Sequence, residues 1–308
     1  MVEVLHARGD NVIGTYYRPT TDISELPSEI KMVECDVRYP ESVEKVVLEY
    51  MPEQIFHLAA QSYPTVSWDR PYETIETNVN GTVAVYEAVK KARQIVDRQY
   101  DPMVVVACSS AEYGESLNLL GGNDVFVKET TELLPLHPYG VSKVGQDLIS
   151  FQYYKNDHIR CIRARIFNST GTRKVNDVTS DFTRRAVEAE RSGIYELRVG
   201  NLETRRAIMD QRDLVSALLL LAERGIPGEV YNISSERIYQ MKDIVRMIEK
   251  QLGHRLEVRV DPALLRPTDE RVIAGDVTKL QRDTGWKQQI PMEQTVADML
   301  EWWRKRIR

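Results

Sequence analysis

The sequence has few cysteines, and those it has show no sign of pairing. Its 308 residues contain three, Cys35, Cys108 and Cys161, which are far apart and flanked by apolar residues. An odd number of isolated cysteines favours buried thiols in a reducing compartment over a disulfide framework. The five histidines show no metal-ligand spacing with one another or with the cysteines, so no metal site is predicted.

An excess of basic charge and long apolar runs are also lacking. The 41 basic and 46 acidic residues give a formal net charge of −5, which provides no general attraction to nucleic acid or to an anionic membrane. No apolar run approaches the roughly 18 residues that a membrane span needs. The first residues have the pattern of an amphipathic helix rather than a signal peptide. The composition predicts a soluble, cytoplasmic protein.

Short apolar runs that alternate with amphipathic stretches dominate the first half of the chain. The runs with strand character are "NVIGTYY", "IKMVEC", "QIFHLAA", "MVVVACSS" and "IRCIRARIF". Helical patterns lie between them, near 41–50, 71–95 and 139–155. This alternation predicts the α/β class, with a doubly wound parallel sheet that helices cover on both faces.

The rhythm changes after residue 168, where polar loops become longer. One further strand is predicted in "GEVYNIS", and helices are predicted near 178–192, 240–252 and 291–305. We expect this part of the chain to form a smaller C-terminal lobe. A ligand is then expected beyond the carboxyl ends of the strands.

A glycine-rich turn at the start of the sheet is missing. A doubly wound sheet that holds a dinucleotide begins with a strand and such a turn, which feeds a helix. Here "EVLHARGDNVIGTYY" has the pattern of the second half of that helix, with Gly9 at its C-cap, followed by the second strand. Either Met1 is an internal methionine of a longer reading frame, or the protein lacks this strand and loop. The first explanation is favoured, because losing a central strand exposes unpaired backbone on its neighbours.

Tyr139 and Lys143 in "HPYGVSK" are four residues apart on a predicted helix, and so share one face. There the ammonium group can stabilise a phenolate and lower the tyrosine pKa from its usual value of about 10. Such a tyrosine can exchange a proton with a hydroxyl or carbonyl group. Ser109 or Ser110, at the end of the strand "VVVACSS", can hydrogen-bond the same oxygen.

These segments lie in a series of motifs whose order and spacing match a known family. The series contains "IFHLAAQS", "NVNGT", "SSAEYG", "HPYGVSK", "RARIFNSTG", "VGNLETRR", "QRDLV", "YNISS", "LRPTD" and "TGW". With them the chain resembles the extended short-chain dehydrogenase/reductase family, which has a Rossmann-like fold. The nearest likeness is to the branch of GDP-mannose 4,6-dehydratase and GDP-4-keto-6-deoxymannose reductase. It covers essentially the whole chain except the N-terminus, and it implies that Ser109, Tyr139 and Lys143 are the catalytic residues.

The resemblance also implies a cofactor site. The backbone of Leu58, Ala59 and Ala60 matches the turn that passes the dinucleotide, and Tyr139 and Lys143 also border it. Asp36 and Val37 match positions beside the adenine, although Asp36 could instead be a helix N-cap. Arg18 in "TYYRP" stands where NAD-binding sheets usually carry an acidic residue. It favours NADP, with NAD possible, unless it is simply solvated.

On the substrate side, the resemblance implies a GDP-linked sugar. The diphosphate carries about two negative charges, which arginine suits through its planar fork. The matching residues are Ser110, Asn168, Arg206 and Arg266. Relatives usually have an acidic residue and an aromatic one after the arginine that matches Arg206, whereas this chain has Ala207 and Ile208.

The matches predict which segments form each domain. Residues 1–167 with about 207–233 are expected to form the dinucleotide-binding domain. Residues of about 168–206 with 234–308 are expected to form the nucleotide-sugar lobe. Relatives pair through helices that match 71–95 and 139–155, so the resemblance implies a homodimer or homotetramer.

One substitution bears on the reaction. In the dehydratases the position that matches Ala111 is a glutamate, which takes a proton from C5 before water leaves. Alanine cannot do this, and neighbouring Glu112 should point to the opposite side of an extended chain. The sequence therefore favours NADP-dependent reduction of a GDP-linked 4-keto-6-deoxyhexose at C4. A dehydratase or related epimerase, with Glu112 recruited by a kinked strand end, is the alternative, and a non-catalytic nucleotide-sugar-binding or partner subunit is the second.

Overall fold

The computed structural model describes residues 1–119, 125–175, 177–264 and 271–307. Its strands are β1 (Ile13–Tyr16), β2 (Lys31–Glu34), β3 (Gln54–His57), β4 (Met103–Ser109), β5 (Cys161–Ile166), β6 (Ser169–Thr170), β7 (Glu196–Val199), β8 (Arg205–Arg206), β9 (Met209–Asp210), β10 (Val230–Ile233), β11 (Tyr239–Gln240), β12 (Glu257–Val260) and β13 (Val272–Ile273).

The α-helices lie between these strands and after them. They are α1 (Val2–Ala7), α2 (Pro40–Tyr50), α3 (Pro64–Asp69), α4 (Pro71–Ile75), α5 (Gly81–Ile95), α6 (Glu115–Leu119), α7 (Pro138–Asp157), α8 (Val178–Ser192), α9 (Gln211–Arg224), α10 (Met241–Leu252), α11 (Thr278–Thr284) and α12 (Met292–Arg306). In the part of the chain that the structure describes, no helix is both long and apolar enough to cross a membrane.

The strands of the first half and β10 form two groups, in which β1 pairs with β2 and β3 with β4 in parallel. The largest group has the order β10-β5-β4-β3, with β3 parallel to β4. β1 and β2 pair in parallel as a separate two-stranded group. Because parallel strands need helical crossovers, helices alternate with them along the chain. The predicted α/β class with a parallel sheet is confirmed.

The chain divides into two compact units, of which unit 1 carries this sheet. Unit 1 contains residues 1–112, 135–165 and 218–231. Every residue of β4 is buried, because helices cover both faces of a central parallel strand. On one face, Val104, Val106 and Cys108 belong to a core that also contains residues of α2, α5 and α7.

The helix predicted over 71–95 is interrupted. α4 ends at Ile75, a π-helical segment follows over Glu76–Asn80, and α5 begins at Gly81. A π-helical turn widens the helix and turns side chains away from the positions of a regular 3.6-residue repeat. Its consequence for the site is described below.

Unit 2 contains residues 113–134, 166–217 and 232–308. Its largest core lies among α8, α10 and α12, whose buried faces pack around β7. Trp286 of unit 2 is also buried, and its indole N–H donates to the Asp213 carbonyl, 3.2 Å away. The assignment of a cofactor or substrate role to either unit stays a prediction.

Candidate active site

Helix α7 presents Tyr139 and Lys143 one turn apart, as predicted. The helix begins after His137, whose ring Nδ1 accepts a hydrogen bond from the Gly140 N–H at 3.0 Å and so caps the first turn. Pro138 occupies the first helical position, where its fixed φ is favourable. Both side chains are almost fully buried in unit 1. Lys143 Nζ lies 5.8 Å from the centre of the Tyr139 ring.

A tight turn brings Ser109 to the same place. Ser109 is the last residue of β4, and a 3₁₀ turn follows over Ser110–Glu112. The start of α7 packs directly against this turn. A Cβ on Gly140 would lie only 2.7 Å from the Ala111 carbonyl oxygen, so a glycine is required there. Close packing of a strand end on a helix start thus places the serine beside the tyrosine.

The electrostatics of Tyr139 differ from the sequence expectation. Burial raises the pKa of its phenol to about 12, and a hydrogen bond with Ser109 offsets part of this increase. The expectation that Lys143 lowers this pKa is wrong for the described structure. The phenol is desolvated, which disfavours its charged form. A phenol with this pKa is protonated over the physiological range and is therefore a proton donor.

Lys143 is held by two acceptors rather than by the phenol. Its Nζ donates to the Ala107 carbonyl at 2.7 Å and to Gln146 Oε1 at 2.8 Å. Burial lowers the pKa of Lys143 to about 8. The ammonium group is therefore held by the backbone of β4 and by Gln146.

Asn78 is a site residue that the sequence reasoning missed. It lies in the π-helical segment, and its Nδ2 donates to the Ser142 hydroxyl on α7 at 2.8 Å and to the Gln61 carbonyl at 3.0 Å. Its Oδ1 accepts from the Gln61 N–H at 2.8 Å. Asn78 thus ties the loop after β3 to the helix of Tyr139. The available signal is the motif "NVNGT", of which Asn78 is the first residue.

A buried network of two carboxylates and two guanidiniums, also missed, adjoins the turn after β4. It consists of Glu112, Asp147, Arg163 and Arg165, and we call it the buried ion network. Arg163 and Arg165 alternate along β5, inside a strand whose other residues are apolar. Buried arginines need buried partners, so this alternation was the available signal.

The contacts of the buried ion network show whether Glu112 is available to a ligand and whether the network could bind a metal ion. Glu112 is fully buried and faces Arg165 and the Ser109 N–H, so its carboxylate is engaged inside unit 1. The Cys108 thiol and the two carboxylates of the network lie within 4.8 Å of one another, a spacing that a metal ion could use. The guanidiniums of Arg163 and Arg165 already balance those carboxylates, so this donor set does not fit a cation.

The predicted cofactor residues lie at carboxyl ends of parallel strands. Leu58, Ala59 and Ala60 follow β3, and the first two are exposed. Asp36 and Val37 follow β2. Asp36 does not cap α2, because that helix begins at Pro40 with Tyr39 as its N-cap.

Asp36 is instead paired with Arg38. The Arg38 guanidinium reaches both carboxylate oxygens, and the closest approach is 2.7 Å. This pairing lowers the pKa of Asp36. Arg18 follows β1, is exposed, and has φ of 43°, in the left-handed region. Its guanidinium lies 5.2 Å from the centre of the Tyr17 ring, and that of Arg38 lies 5.4 Å from the same centre.

The predicted substrate residues are divided between the two units. Ser110 is half-buried in unit 1, in the turn after β4. Asn168 is exposed and Arg206 is buried in β8, both in unit 2. Arg266 lies outside the described residues. Ala207 and Ile208, which depart from the family pattern, are buried in apolar clusters of unit 2.

Ser109, Tyr139 and Lys143 thus lie close together in unit 1, and their role in proton transfer stays a prediction. A protonated phenol stands beside a serine hydroxyl and a lysine that titrates near pH 8. Such a group can protonate the oxygen of a carbonyl while the carbon is reduced. Reduction needs a hydride, and protein side chains do not provide one, so the site requires a redox cofactor.

Comparisons with known proteins show the family to which the chain belongs. A family model described as GDP-mannose 4,6 dehydratase matches residues 1–299. The GDP-6-deoxy-D-mannose reductase of Pseudomonas aeruginosa is 26% identical over 260 residues, which cover 84% of this chain and 82% of that protein. The GDP-mannose 4,6-dehydratase of Yersinia enterocolitica is 24% identical over 286 residues, which cover 83% of this chain and 74% of that protein.

A solved structure shares the fold. The structure of RMD from Pseudomonas aeruginosa complexed with NADPH aligns with a TM-score of 0.81 and 24% identity, covering 92% of this chain and 93% of that one. The similarity supports the Rossmann-like arrangement of the described elements.

Proposed function

Because the chain belongs to the GDP-mannose 4,6 dehydratase family, we propose that it is an NADP-dependent reductase that reduces the C4 keto group of a GDP-linked 4-keto-6-deoxyhexose. The observation that carries the proposal is the turn after β4. It presents Ala111 where the resemblance places the base of the dehydratases, and the neighbouring carboxylate of Glu112 is buried against Arg165. A reductase needs no base at this position.

The described residues fit the chemistry of a nicotinamide cofactor. Exposed backbone after β3 and the exposed Arg18 after β1 both lie at carboxyl ends of parallel strands, where doubly wound sheets bind dinucleotides. Leu58, Ala59 and Ala60 would border the cofactor, with Asp36 and Val37 nearer its adenine. When bound, the nicotinamide supplies the hydride. Arg18 would hold the 2′-phosphate of NADP.

Tyr139 supplies the proton in this proposal. Its hydroxyl donates to the C4 oxygen as the carbon accepts the hydride, so the carbonyl becomes an alcohol. The raised pKa of Tyr139 keeps the proton available. Ser109 hydrogen-bonds the same oxygen, and Lys143 returns a proton to the phenolate. Ser110, Asn168, Arg206 and Arg266 are proposed to bind the GDP-linked sugar.

A 4,6-dehydratase is the second candidate. The curated relatives include the dehydratase of Yersinia enterocolitica, and the family model carries the same description. A dehydratase first oxidises C4, so its tyrosine must begin as a base. Ala111, which stands in place of the catalytic glutamate of the dehydratases, disfavours this reaction.

Product analysis separates these functions. We expect the protein, incubated with NADPH and GDP-4-keto-6-deoxymannose, to form a product that has gained two hydrogens by mass spectrometry. In a parallel reaction with GDP-mannose and NADP, loss of one water would show the dehydratase and contradict the proposal. No product in either reaction would favour a non-catalytic nucleotide-sugar-binding protein.

We expect Arg18→Ala to remove the preference for a 2′-phosphate. A charge-assisted hydrogen bond contributes about 1.5–3 kcal/mol, so the dissociation constant of 2′,5′-ADP should rise roughly 10- to 100-fold. Binding of 5′-AMP should not change, and Arg18→Lys should lie between wild type and Arg18→Ala. Isothermal titration calorimetry measures both ligands without any turnover. An equal loss for both would contradict the assignment of Arg18 to the 2′-phosphate.

We also propose a homodimer formed through α7 and its neighbours. Val141, Leu148 and Phe151 are exposed along one face of α7, at spacings of seven and three residues. α3 and α4 pack beside this helix and expose Trp68 and Tyr72, the latter 90% accessible. Monomeric proteins rarely expose large apolar patches, so apolar side chains exposed on helices that pack side by side support this interface.

We expect Leu148→Glu to convert this dimer to monomers, because it would bury an unpaired charge at the interface. Analytical ultracentrifugation measures the change. Ile226→Glu, which also replaces an exposed apolar side chain but lies outside these helices, is the control and should leave the dimer intact. A wild-type protein that sediments as a monomer would contradict the proposal.

A further inference from the structure

The buried ion network reaches the backbone of Ser109 through one of its members. Glu112 Oε1 accepts a hydrogen bond from the Ser109 N–H at 2.7 Å, and both residues are buried. The other carboxylate oxygen, Oε2, lies 3.1 Å from Arg165 Nε. Glu112 therefore stands between the arginine of β5 and the serine at the end of β4.

The rest of the network fixes Glu112 from the side of α7. Arg165 Nε also donates to Asp147 Oδ2 at 2.9 Å, and Arg163 donates to Asp147 Oδ1 at 2.6 Å. Arg163 in turn donates to the Gly228 carbonyl at 3.0 Å. Asp147 is four residues after Lys143, on the same face of α7. The network thus joins β4, β5 and α7 behind the three proposed catalytic residues.

A buried ion network contributes little net stability compared with apolar residues in the same place. Desolvation of the charges offsets most of their attraction, and apolar residues of similar volume often stabilise a protein as well or better. The Glu112 contact to Ser109 has a more specific consequence. The Ser109 hydroxyl accepts from the Ala111 N–H at 3.2 Å, so fixing the Ser109 backbone fixes the whole turn and its hydroxyl.

We propose, building on the function above, that Glu112 is a positioning residue. Its carboxylate, fixed by Arg165 and Asp147, holds the Ser109 N–H and keeps the Ser109 hydroxyl in hydrogen-bonding distance of Tyr139. Glu112 does not touch the substrate in this proposal. It acts only through Ser109.

Several charged groups surround Glu112 and bear on its test. On the two strands beside it, these groups are Cys108 of β4 and the two arginines of β5, Arg163 and Arg165. Helix α7 contributes Tyr139, Lys143 and Asp147, and His57 of β3 lies near Lys143. Burial and the charge of Asp147 raise the pKa of Glu112 to about 8. The charge of Glu112 therefore depends on pH, and the variants must separate this titration from the position of the side chain.

Glu112→Ala and Glu112→Gln separate them, because both remove the titrating carboxyl group but only glutamine keeps an oxygen that can accept from the Ser109 N–H. We expect kcat of Glu112→Ala to fall about 10- to 100-fold, as for a small displacement of a catalytic group. Glu112→Gln should recover most of this loss. In a Ser109→Ala background, the difference in kcat between the two variants should disappear.

The Tyr139 titration tests the same idea without any turnover. Ultraviolet difference spectra between each variant and its Tyr139→Phe counterpart report the ionisation of this phenol. Because the Ser109 hydrogen bond lowers the pKa of Tyr139, that pKa should be higher in Glu112→Ala than in Glu112→Gln. The difference should also vanish in the Ser109→Ala background. This measurement stands even if the proposed substrate is not turned over.

Glu190→Ala and Glu190→Gln are the matched control pair. Glu190 also forms a two-point contact with an arginine, Arg304, at 2.7 and 2.8 Å, but it belongs to unit 2. Neither kcat nor the Tyr139 titration should distinguish these two variants. A difference between Glu112→Ala and Glu112→Gln that persists without the Ser109 hydroxyl would overturn the proposal, as would the absence of any difference in the wild-type background.

Discussion

Replacement of Tyr139 by phenylalanine is expected to lower kcat by about 10²- to 10⁴-fold, the usual contribution of a general acid. The change removes only the hydroxyl, and the ring keeps its place next to His137, with ring centres 5.9 Å apart. Binding of GDP, measured by calorimetry, should stay nearly the same. The rate is measured from the fall in NADPH absorbance with a GDP-linked 4-keto-6-deoxyhexose.

Tyr153→Phe is the control for this prediction. Tyr153 is also a buried tyrosine of α7, and its hydroxyl donates to Glu87 at 2.7 Å, apart from the proposed catalytic residues. Its loss should leave kcat close to that of the wild type. Near-normal turnover by Tyr139→Phe would refute the role of Tyr139.

Replacement of Arg165 by methionine is expected to have the largest effect on stability. Arg165 is buried, and its Nε contacts both Glu112 and Asp147. Methionine keeps part of the aliphatic stem but leaves the buried carboxyl groups of Glu112 and Asp147 without this guanidinium. Breaking a buried pair in this way costs about 3–5 kcal/mol. Urea unfolding followed by circular dichroism measures the free energy of unfolding.

Arg304→Met is the matched control for Arg165. It breaks the ion pair with Glu190, in which both side chains are more than a third accessible. Exposed pairs contribute about 0–1 kcal/mol, so this variant should remain close to the wild type. A similar small loss for Arg165→Met would contradict the energetic importance of the buried ion network.

The pH dependence of the free energy of unfolding is a second test of the buried ion network. The pKa of Glu112 is raised from 4.5 to about 8, so between these values the folded protein binds a proton that the unfolded chain releases. Stability from this group therefore falls as the pH rises through that interval. In Glu112→Gln, the free energy of unfolding measured with urea should depend less steeply on pH between 4.5 and 8.

The sequence predicted local structure well because local structure has local causes. The strand patterns "MVVVACSS" and "IRCIRARIF" became β4 and β5, and the helices predicted near 178–192 and 240–252 became α8 and α10. Tyr139 and Lys143 share a helix face because their spacing is four. The π-helical segment after Ile75 was not predicted, since its hydrogen bonds run to Gln61 and Ser142, which are distant in sequence.

The electrostatics of the site could not be predicted from spacing alone. The direction of the Tyr139 pKa depends on burial and on what else binds Lys143, and these depend on β4 and on Gln146. Likewise Glu112 lies 53 residues from Arg165 in the numbering, so no local pattern joins them. Arginines inside a buried strand indicated that carboxylates must be nearby, without indicating which ones.

The central claim is hydride transfer to C4 of a GDP-linked sugar. Its most direct test uses NADPH deuterated at the transferred position of the nicotinamide, with GDP-4-keto-6-deoxymannose and the wild-type protein. We predict that mass spectrometry and proton NMR will locate the deuterium at C4 of the reduced sugar, and that Tyr139→Phe will form this product far more slowly. A sugar product without deuterium at C4, or conversion of GDP-mannose with loss of water instead, would contradict the account.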